Sequence, residues 1–277
     1  MSDDRTEILI EPGRAKVRTW QDFLAYRELF LFLVWRDILV RYKQTVLGLA
    51  WCLLRPLLTM VVFSVVFGRL AGFPTEGGAP YPILVLAGLL PWQLFAGAVG
   101  DSSNSLVGNA ALISKIYFPR LIIPASAVMV SLVDFAISLA MLLGLMTWYG
   151  YLPSSRIVTL PIFLILALLA ALSLGFWTSA LSVKYRDFRL IVPFALQFGL
   201  YLSPVGFSSR VVPDEWFWLY TLNPLVGVID GFRWALLQEA PPLYLPGLFN
   251  SAALTILVGI GGLIYFRSTE QRFADII

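Results

Sequence analysis

Long apolar segments set the strongest limit on what this 277-residue chain can fold into. A helix needs about 20 mostly apolar residues to cross a bilayer. The segments that approach or exceed that length are 53–72, 82–100, 121–149, 157–183, 190–207 and 246–266. Charged residues make up only 13% of the chain, about half the share of an ordinary soluble domain. The pattern predicts an all-α polytopic membrane protein with six transmembrane helices.

The basic residues indicate how such a chain is oriented. Sixteen of the 20 lysines and arginines fall on the same side as both termini, and the other four are Arg69, Arg156, Arg210 and Arg233. Basic residues concentrate on the cytoplasmic side of membrane proteins. We therefore expect a multi-pass protein of the bacterial cytoplasmic membrane, with cytoplasmic tails at 1–18 and 267–277. Acidic residues mixed among the N-terminal bases argue against a nucleic-acid partner.

The segment 19–45 has a helical pattern but is not a span. Its apolar run, residues 29–35, is too short to cross a bilayer and is bracketed by charged pairs. Tryptophan, tyrosine and phenylalanine rings around it suit the headgroup region. We predict an amphipathic helix at the cytoplasmic interface, which acts either as a passive anchor or as a moving lever.

The segment 208–245 is too rich in apolar residues for a free loop. Asn223-Pro224 divides it into two pieces, each too short to span. We therefore predict two re-entrant helices before the last span.

The chain lacks the residues of most catalytic sites. It has no histidine and a single cysteine, Cys52, and it contains no P-loop, zinc-protease or serine-hydrolase motif. We expect no catalytic residue, no metal site and no nucleotide hydrolysis in this chain, so that energy for transport comes from another subunit. A membrane transferase acting on polyprenyl substrates is a less favoured alternative, because it needs paired interfacial carboxylates.

Asp134 is the acidic residue that lies inside a predicted span. A carboxylate at that depth marks a functional site by default. Because no basic residue stands near it in its own span, we favour a structural role, bonded to Ser131, Ser138 or a neighbouring helix.

Four stretches resemble the ABC-2 type permeases that export O-antigen, capsule and teichoic-acid polymers. The first is Trp35-Arg36-Asp37 with residues 41–51 and Pro56. The others are 115–120 with Pro124, 184–188, and 201–205 with 222–225 and Arg233. They follow one another in the family's order and cover about residues 20 to 270.

The resemblance implies a transmembrane domain over 46–266 and an assembly of several parts. It implies a second copy of this chain, two copies of a separate cytoplasmic ABC ATPase, and a polyprenyl-linked glycan as substrate. The ATPase binds ATP and Mg²⁺, so this chain needs no cofactor. Exporters of teichoic acid, capsule, drugs or lipids share the fold and remain alternatives to an O-antigen-like substrate.

The resemblance also implies residues for the substrate path. Aromatic faces suit a sugar polymer, and on the two spans that line the pore of such proteins they are Phe63, Phe67, Trp92 and Phe95. A cytoplasmic gate or a contact with the pyrophosphate headgroup is implied for Arg36, Arg41, Tyr42 and Lys43. Core packing of the rings and membrane orientation of the bases stay open as alternatives.

Two further groups follow from the same resemblance. Contact with the ATPase is implied for Ser102, Asn104, Lys115 and Tyr117 in a cytoplasmic loop over 101–120, for which an inert connector is the alternative. The outer re-entrant region is marked by Asn223, Pro224 and Arg233.

Overall fold

The computed structural model describes residues 25–43, 48–76, 78–270 and 273. The predicted tail 1–18, the start of the interface helix and most of the tail 267–277 lie outside these residues. The helices are α1 (Arg27–Lys43), α2 (Gly48–Phe63), α3 (Tyr81–Gly108), α4 (Ala110–Lys115), α5 (Ile122–Trp148), α6 (Leu160–Lys184), α7 (Phe188–Leu202), α8 (Asp214–Tyr220), α9 (Pro224–Leu236) and α10 (Leu245–Glu270).

The described helices confirm an all-α polytopic membrane protein. Those long and apolar enough to cross a membrane cover Ala50–Leu70, Tyr81–Gly108, Ile122–Trp148, Ser155–Lys184 and Leu245–Glu270. The predicted fifth span is the 15-residue helix α7. Its length of about 22 Å is less than the ~30 Å hydrocarbon core. A sixth crossing therefore stays a prediction.

Helix α3 lies at the centre of the bundle. Prolines at its start fit the first helical turn, where a missing N–H leaves no bond unmade. Most of its side chains are buried, because α5, α6, α9 and part of α7 pack around it.

The prediction of a loop from residue 101 is wrong, because α3 continues as helix to Gly108. The Ser/Asn-rich sequence there remains helical because its hydroxyls bond carbonyls of the preceding turn. The Ser103 hydroxyl donates to the Gly100 carbonyl at 2.9 Å, and the Ser105 hydroxyl donates to the Ser102 carbonyl at 2.7 Å. The turn that follows is short and leads directly into α4.

The outer segment folds into two helices on either side of Asn223, as its sequence predicts. Helix α8 exposes Trp216 and Trp218, whereas α9 is largely buried against α3, α6 and α10. Asn223 caps α9, because its side-chain oxygen accepts from the Leu225 N–H at 3.0 Å. Two helices of 7 and 13 residues are too short to cross a bilayer, and their re-entry into it stays a prediction.

Small residues let the buried helices approach closely. A Cβ atom on Gly175 of α6 would lie 2.6 Å from the Ser102 hydroxyl of α3. A Cβ on Gly231 of α9 would lie only 2.2 Å from the ring of Phe163. That ring is 4% exposed and packs edge-to-face against Trp234, so it has little room to move.

We therefore expect Gly231→Ala to destabilise the chain by about 1–3 kcal/mol through overpacking. Gly144→Ala is the matched control, since a Cβ there meets nothing within 4 Å and alanine favours a helix. The thermal unfolding midpoint in detergent measures both variants. Equal midpoints for Gly231→Ala and the wild type would contradict this packing.

Candidate functional site

Charged side chains from three helices meet where α1 crosses the bundle. The Arg41 guanidinium donates from Nη1 to Asp134 Oδ2 at 2.8 Å and from Nη2 to Asp101 Oδ2. Asp101 lies on α3 and Asp134 on α5. One arginine of the interface helix is thus bonded to two acids on different spans.

Two neighbours complete this inner network, which comprises Arg41, Tyr42, Cys52, Asp101 and Asp134. The Tyr42 hydroxyl and the Cys52 thiol both donate to Asp134 Oδ1, the thiol at 3.3 Å. Burial alone lowers the pKa of Arg41, but the two carboxylates outweigh it and raise that pKa above its ordinary value. Burial and the bond to Asp134 raise the pKa of Tyr42. Arginine therefore stays charged and tyrosine stays a donor.

A second contact joins α1 to the end of α3. Arg36 Nη2 donates to the Asn109 side-chain oxygen at 2.8 Å and also pairs with Asp37. About one turn before Arg36, Leu33 is 1% exposed within an apolar cluster that includes Ile113 of α4. Helix α1 is thus fixed to α4 and to the helices on which it lies.

The residues predicted to contact the ATPase divide into two environments. Asn104, Lys115 and Tyr117 are exposed near or beyond the end of α3, and Ile116 beside them is 55% exposed. Ser102 is fully buried, with its hydroxyl against α6. The residues at the end of α4 are therefore exposed, whereas Ser102 packs inside the chain.

The predicted channel aromatics form two separate groups. Phe63 and Phe67 of the second helix and its π-helical continuation pack edge-to-face at 5.3 Å between ring centroids, and Phe63 also contacts Tyr201. Trp92 and Phe95 of α3 line an apolar cavity of about 790 Å³. The structure does not bring all four rings onto one surface.

The outer residues predicted from the 222–225 stretch and Arg233 converge on the turn 203–207 that follows α7. Asn223 Nδ2 donates to the Ser203 hydroxyl at 3.0 Å. Arg233, 1% exposed, donates to the carbonyls of Phe207 at 2.8 Å and Val205 at 2.9 Å. A Cβ on Gly88 would lie 2.9 Å from Arg233 Nη2, so glycine leaves room for the guanidinium. Pro224 occupies the first turn of α9.

Asp230 lies one turn before Arg233 on α9. Its pKa is raised to about 6, mainly by burial and to a smaller extent by Glu76. Three groups act in the opposite direction, namely the Ser209 hydroxyl, Arg233 and Arg210. This carboxyl therefore titrates close to neutral pH.

Sequence reasoning missed the partners of Arg41. It placed no base near Asp134, because Arg41 stands 93 residues away along the chain. It placed Asp101 in a loop, although α3 carries it in a helix. Two acids on otherwise uncharged spans, preceded by an arginine-bearing interface helix, were the available signal.

The amino-acid sequence is similar to those of known transport proteins. Residues 28–237 match the family described as ABC-2 type transporter. The chain is 28% identical over 257 residues to an O-antigen export system permease protein RfbA of Klebsiella pneumoniae, which covers 90% of this chain and 95% of that protein. It is 28% identical to the RfbA permease of Myxococcus xanthus over 94% of this chain and 100% of that one. It is 25% identical to a polysialic acid transport protein KpsM of Escherichia coli over 85% and 91%.

Loss of Arg41 should destabilise the bundle. Arg41→Gln leaves Asp101 and Asp134 close together without their shared cation. The network is partly exposed, so we expect a cost of about 1–3 kcal/mol, between that of surface and buried ion pairs. Thermal unfolding in detergent should show a clear fall for Arg41→Gln and little change for Arg27→Gln, an exposed site on the same helix. Equal midpoints for the two variants would contradict the network.

Asp230 should make stability depend on pH. Because its folded-state pKa of about 6 lies above its ordinary value near 4, its protonation favours the folded state. That contribution is present below about pH 4 and is lost as pH rises through about 6. Asp230→Asn removes the titration, so its unfolding midpoint should gain on the wild type between about pH 4 and 7. A constant difference across this range would contradict the assignment.

Proposed function

The chain belongs to the ABC-2 type transporter family, and from that premise we propose that it exports a lipid-linked, O-antigen-like polysaccharide across the bacterial inner membrane. Two copies of the chain form the channel in this proposal. Two copies of a cytoplasmic ABC ATPase bind ATP with Mg²⁺ and supply the energy. Both termini face the cytoplasm, in keeping with the distribution of basic residues.

The substrate class draws its support from the named relatives. The O-antigen export permeases of Klebsiella pneumoniae and Myxococcus xanthus align with nearly all of this chain. The KpsM proteins, named for polysialic acid transport, align at lower identity. A capsule-like polymer is therefore the second candidate. Teichoic acid, drugs and lipids remain possible cargoes of the same fold.

One observation carries the proposed mechanism: the interface helix is bonded to the docking region and to two spans at once. Arg36 bonds Asn109, immediately before α4, and Arg41 bonds Asp101 and Asp134. A displacement of α4 by the ATPase is thereby transmitted to α1, α3 and α5. These bonds support the role of a lever for α1 over that of a passive anchor.

The surface offered to the ATPase is the end of α4 and the residues that follow it. Ile116 and Tyr117 are 55% and 72% exposed and lie next to Lys115. An exposed apolar pair beside a cation is suited to a groove in a soluble partner. Asn104 adds a polar contact one helical turn before the end of α3.

We assign the phosphate contact of the substrate to Lys43, with Arg36 and Arg41 acting in coupling. Lys43 is exposed at the end of α1, whereas the two arginines already bond side chains of the bundle. A flexible ammonium at that position meets a phosphate from the cytoplasmic side.

For the sugar path we propose the aromatic cluster at the outer end of α2 and α7, in which Tyr201 is the exposed ring and Phe63 is 6% exposed. Tyr201 is 57% exposed and contacts Phe63, which packs on Phe67. In this proposal Tyr201 stacks on successive sugars without a fixed register, and Phe63 and Phe67 support it from behind.

Export measured in proteoliposomes tests the proposed function. Vesicles containing this chain and its cognate ATPase should carry lipid-linked glycan to their interior, where an added glycosidase cannot cleave it. Export requires ATP, and the chain alone should hydrolyse none. Export without any ATPase, or hydrolysis by the purified chain, would overturn the proposal.

A variant of Arg36 tests the coupling within the same assay. Arg36→Gln loses a charge-assisted bond worth about 1.5–3 kcal/mol, so export should fall about tenfold or more while ATP hydrolysis persists. Arg27→Gln, exposed at the other end of α1, should leave both rates unchanged. A parallel loss of export and hydrolysis in Arg36→Gln would contradict the lever.

A further inference from the structure

A large apolar cavity lies beside α7, bounded by α3, α6, α7, α10 and the outer segment. Its volume is about 790 Å³. The inner wall is formed by side chains that are almost fully covered, among them Phe95, Ala170 and Thr178 at 7%, 4% and 7% exposed. At the mouth, Ile191 and Leu202 are 49% and 67% exposed. The cavity therefore opens at α7 and ends deep inside the chain.

One face of α7 forms the outer wall. Its lining positions recur every three or four residues from Phe188 to Leu202, the spacing of a single helical face. Gly199 lies on that face, and a Cβ there would lie 2.6 Å from the Trp92 ring. Trp92 thus braces α7 against α3 while the space on either side stays open. The opposite face, with Leu190 and Phe194, is exposed and does not line the cavity.

The size and the apolar walls of this cavity suit a hydrocarbon ligand. Protein interiors are packed as densely as organic crystals, so a cavity of this size is exceptional. Its walls are almost wholly apolar, and water does not fill such cavities. An apolar cavity of about 150 Å³ holds one benzene molecule, so this volume accommodates a hydrocarbon of about thirty carbon atoms. That is the scale of the paired acyl chains of one phospholipid.

The charges at one end of the cavity suit an anionic headgroup. Lys184, Arg186 and Arg189 are all exposed around the turn between α6 and α7. Phe188, a lining residue, lies within the same turn. Basic clusters at the membrane surface attract anionic lipids. The apolar cavity thus matches the acyl chains of a phospholipid, and the basic residues at its end match the anionic headgroup.

We propose that this cavity binds the acyl chains of an anionic bilayer phospholipid, with its phosphate at Lys184, Arg186 and Arg189. The lipid fills the gap between α7 and the inner wall and supports a helix that otherwise has few protein contacts. The site is distinct from the sugar path and does not depend on which polymer is exported.

Photolabelling of the full chain in lipid nanodiscs tests the proposal. The probe is phosphatidylglycerol with a diazirine near the end of one acyl chain, in a background of phosphatidylcholine. After irradiation, peptide mass spectrometry should find label on Phe95, Ala170 or Thr178. Lipid that merely surrounds the protein does not reach these covered residues.

Two matched double variants of α7 provide the comparison. Ile191→Trp with Ala195→Trp narrows the cavity over two turns and should remove most of the inner-wall label. Leu190→Trp with Phe194→Trp has the same spacing on the exposed face and should retain it. Both variants place their new rings at positions that are already exposed.

Three outcomes would overturn the proposal. The first is label on the exposed face of α7 with none on the inner wall of the wild type. The second is equal inner-wall labelling by phosphatidylcholine and phosphatidylglycerol probes, which would remove the role of the basic turn. The third is displacement of the label by equimolar polyisoprenyl phosphate, which would assign the cavity to the transported substrate. Each result is read without an export assay, so a failure of the proposed function is recorded separately.

Discussion

A charge within or beside an apolar bundle needs a partner, and the inner end of this protein is organised by that requirement. Asp101 and Asp134 belong to helices that are otherwise free of charge over most of their length, and Arg41 satisfies both. The position of α1 follows, because its arginine must reach between two spans. Arg36 and Leu33 then extend the attachment to the start of α4. Helix α1 is thus held by the same bonds that neutralise the charges of the spans.

The outer end meets the same requirement with backbone atoms. Arg233 is 1% exposed and bonds the carbonyls of Val205 and Phe207, which lie in the turn that follows α7. Asn223 bonds the first residue of that turn and the first turn of α9. Gly88 makes room for the guanidinium within α3. Charge at one end therefore connects spans to the interface helix, and at the other end connects a short helix to the outer helices.

The sequence predicted much of the fold, because length and hydropathy alone define a spanning helix. It located five spans, the break at Asn223 and the helix around residue 33. It failed where the outcome depends on neighbours distant in the chain. Nothing in the spacing of Arg41 and Asp134 shows that their helices touch. The serines after Asp101 suggest a loop, although in a helix they bond the preceding turn. The sequence around Trp92 does not distinguish a ring that lines a pore from one that packs in the core or faces a cavity.

The central helix α3 is synthesised before most of the helices that cover it. Helix α3 is covered mainly by α5, α6 and α9, all of which emerge from the ribosome after it. Until they arrive, its apolar sides face lipid, which they tolerate. Asp101 is the residue of α3 that does not tolerate lipid, but Arg41 has already been synthesised when Asp101 emerges. The arginine therefore accompanies the first acid into the membrane and is in place when Asp134 follows, so assembly at no stage requires a lone carboxylate to wait for its cation.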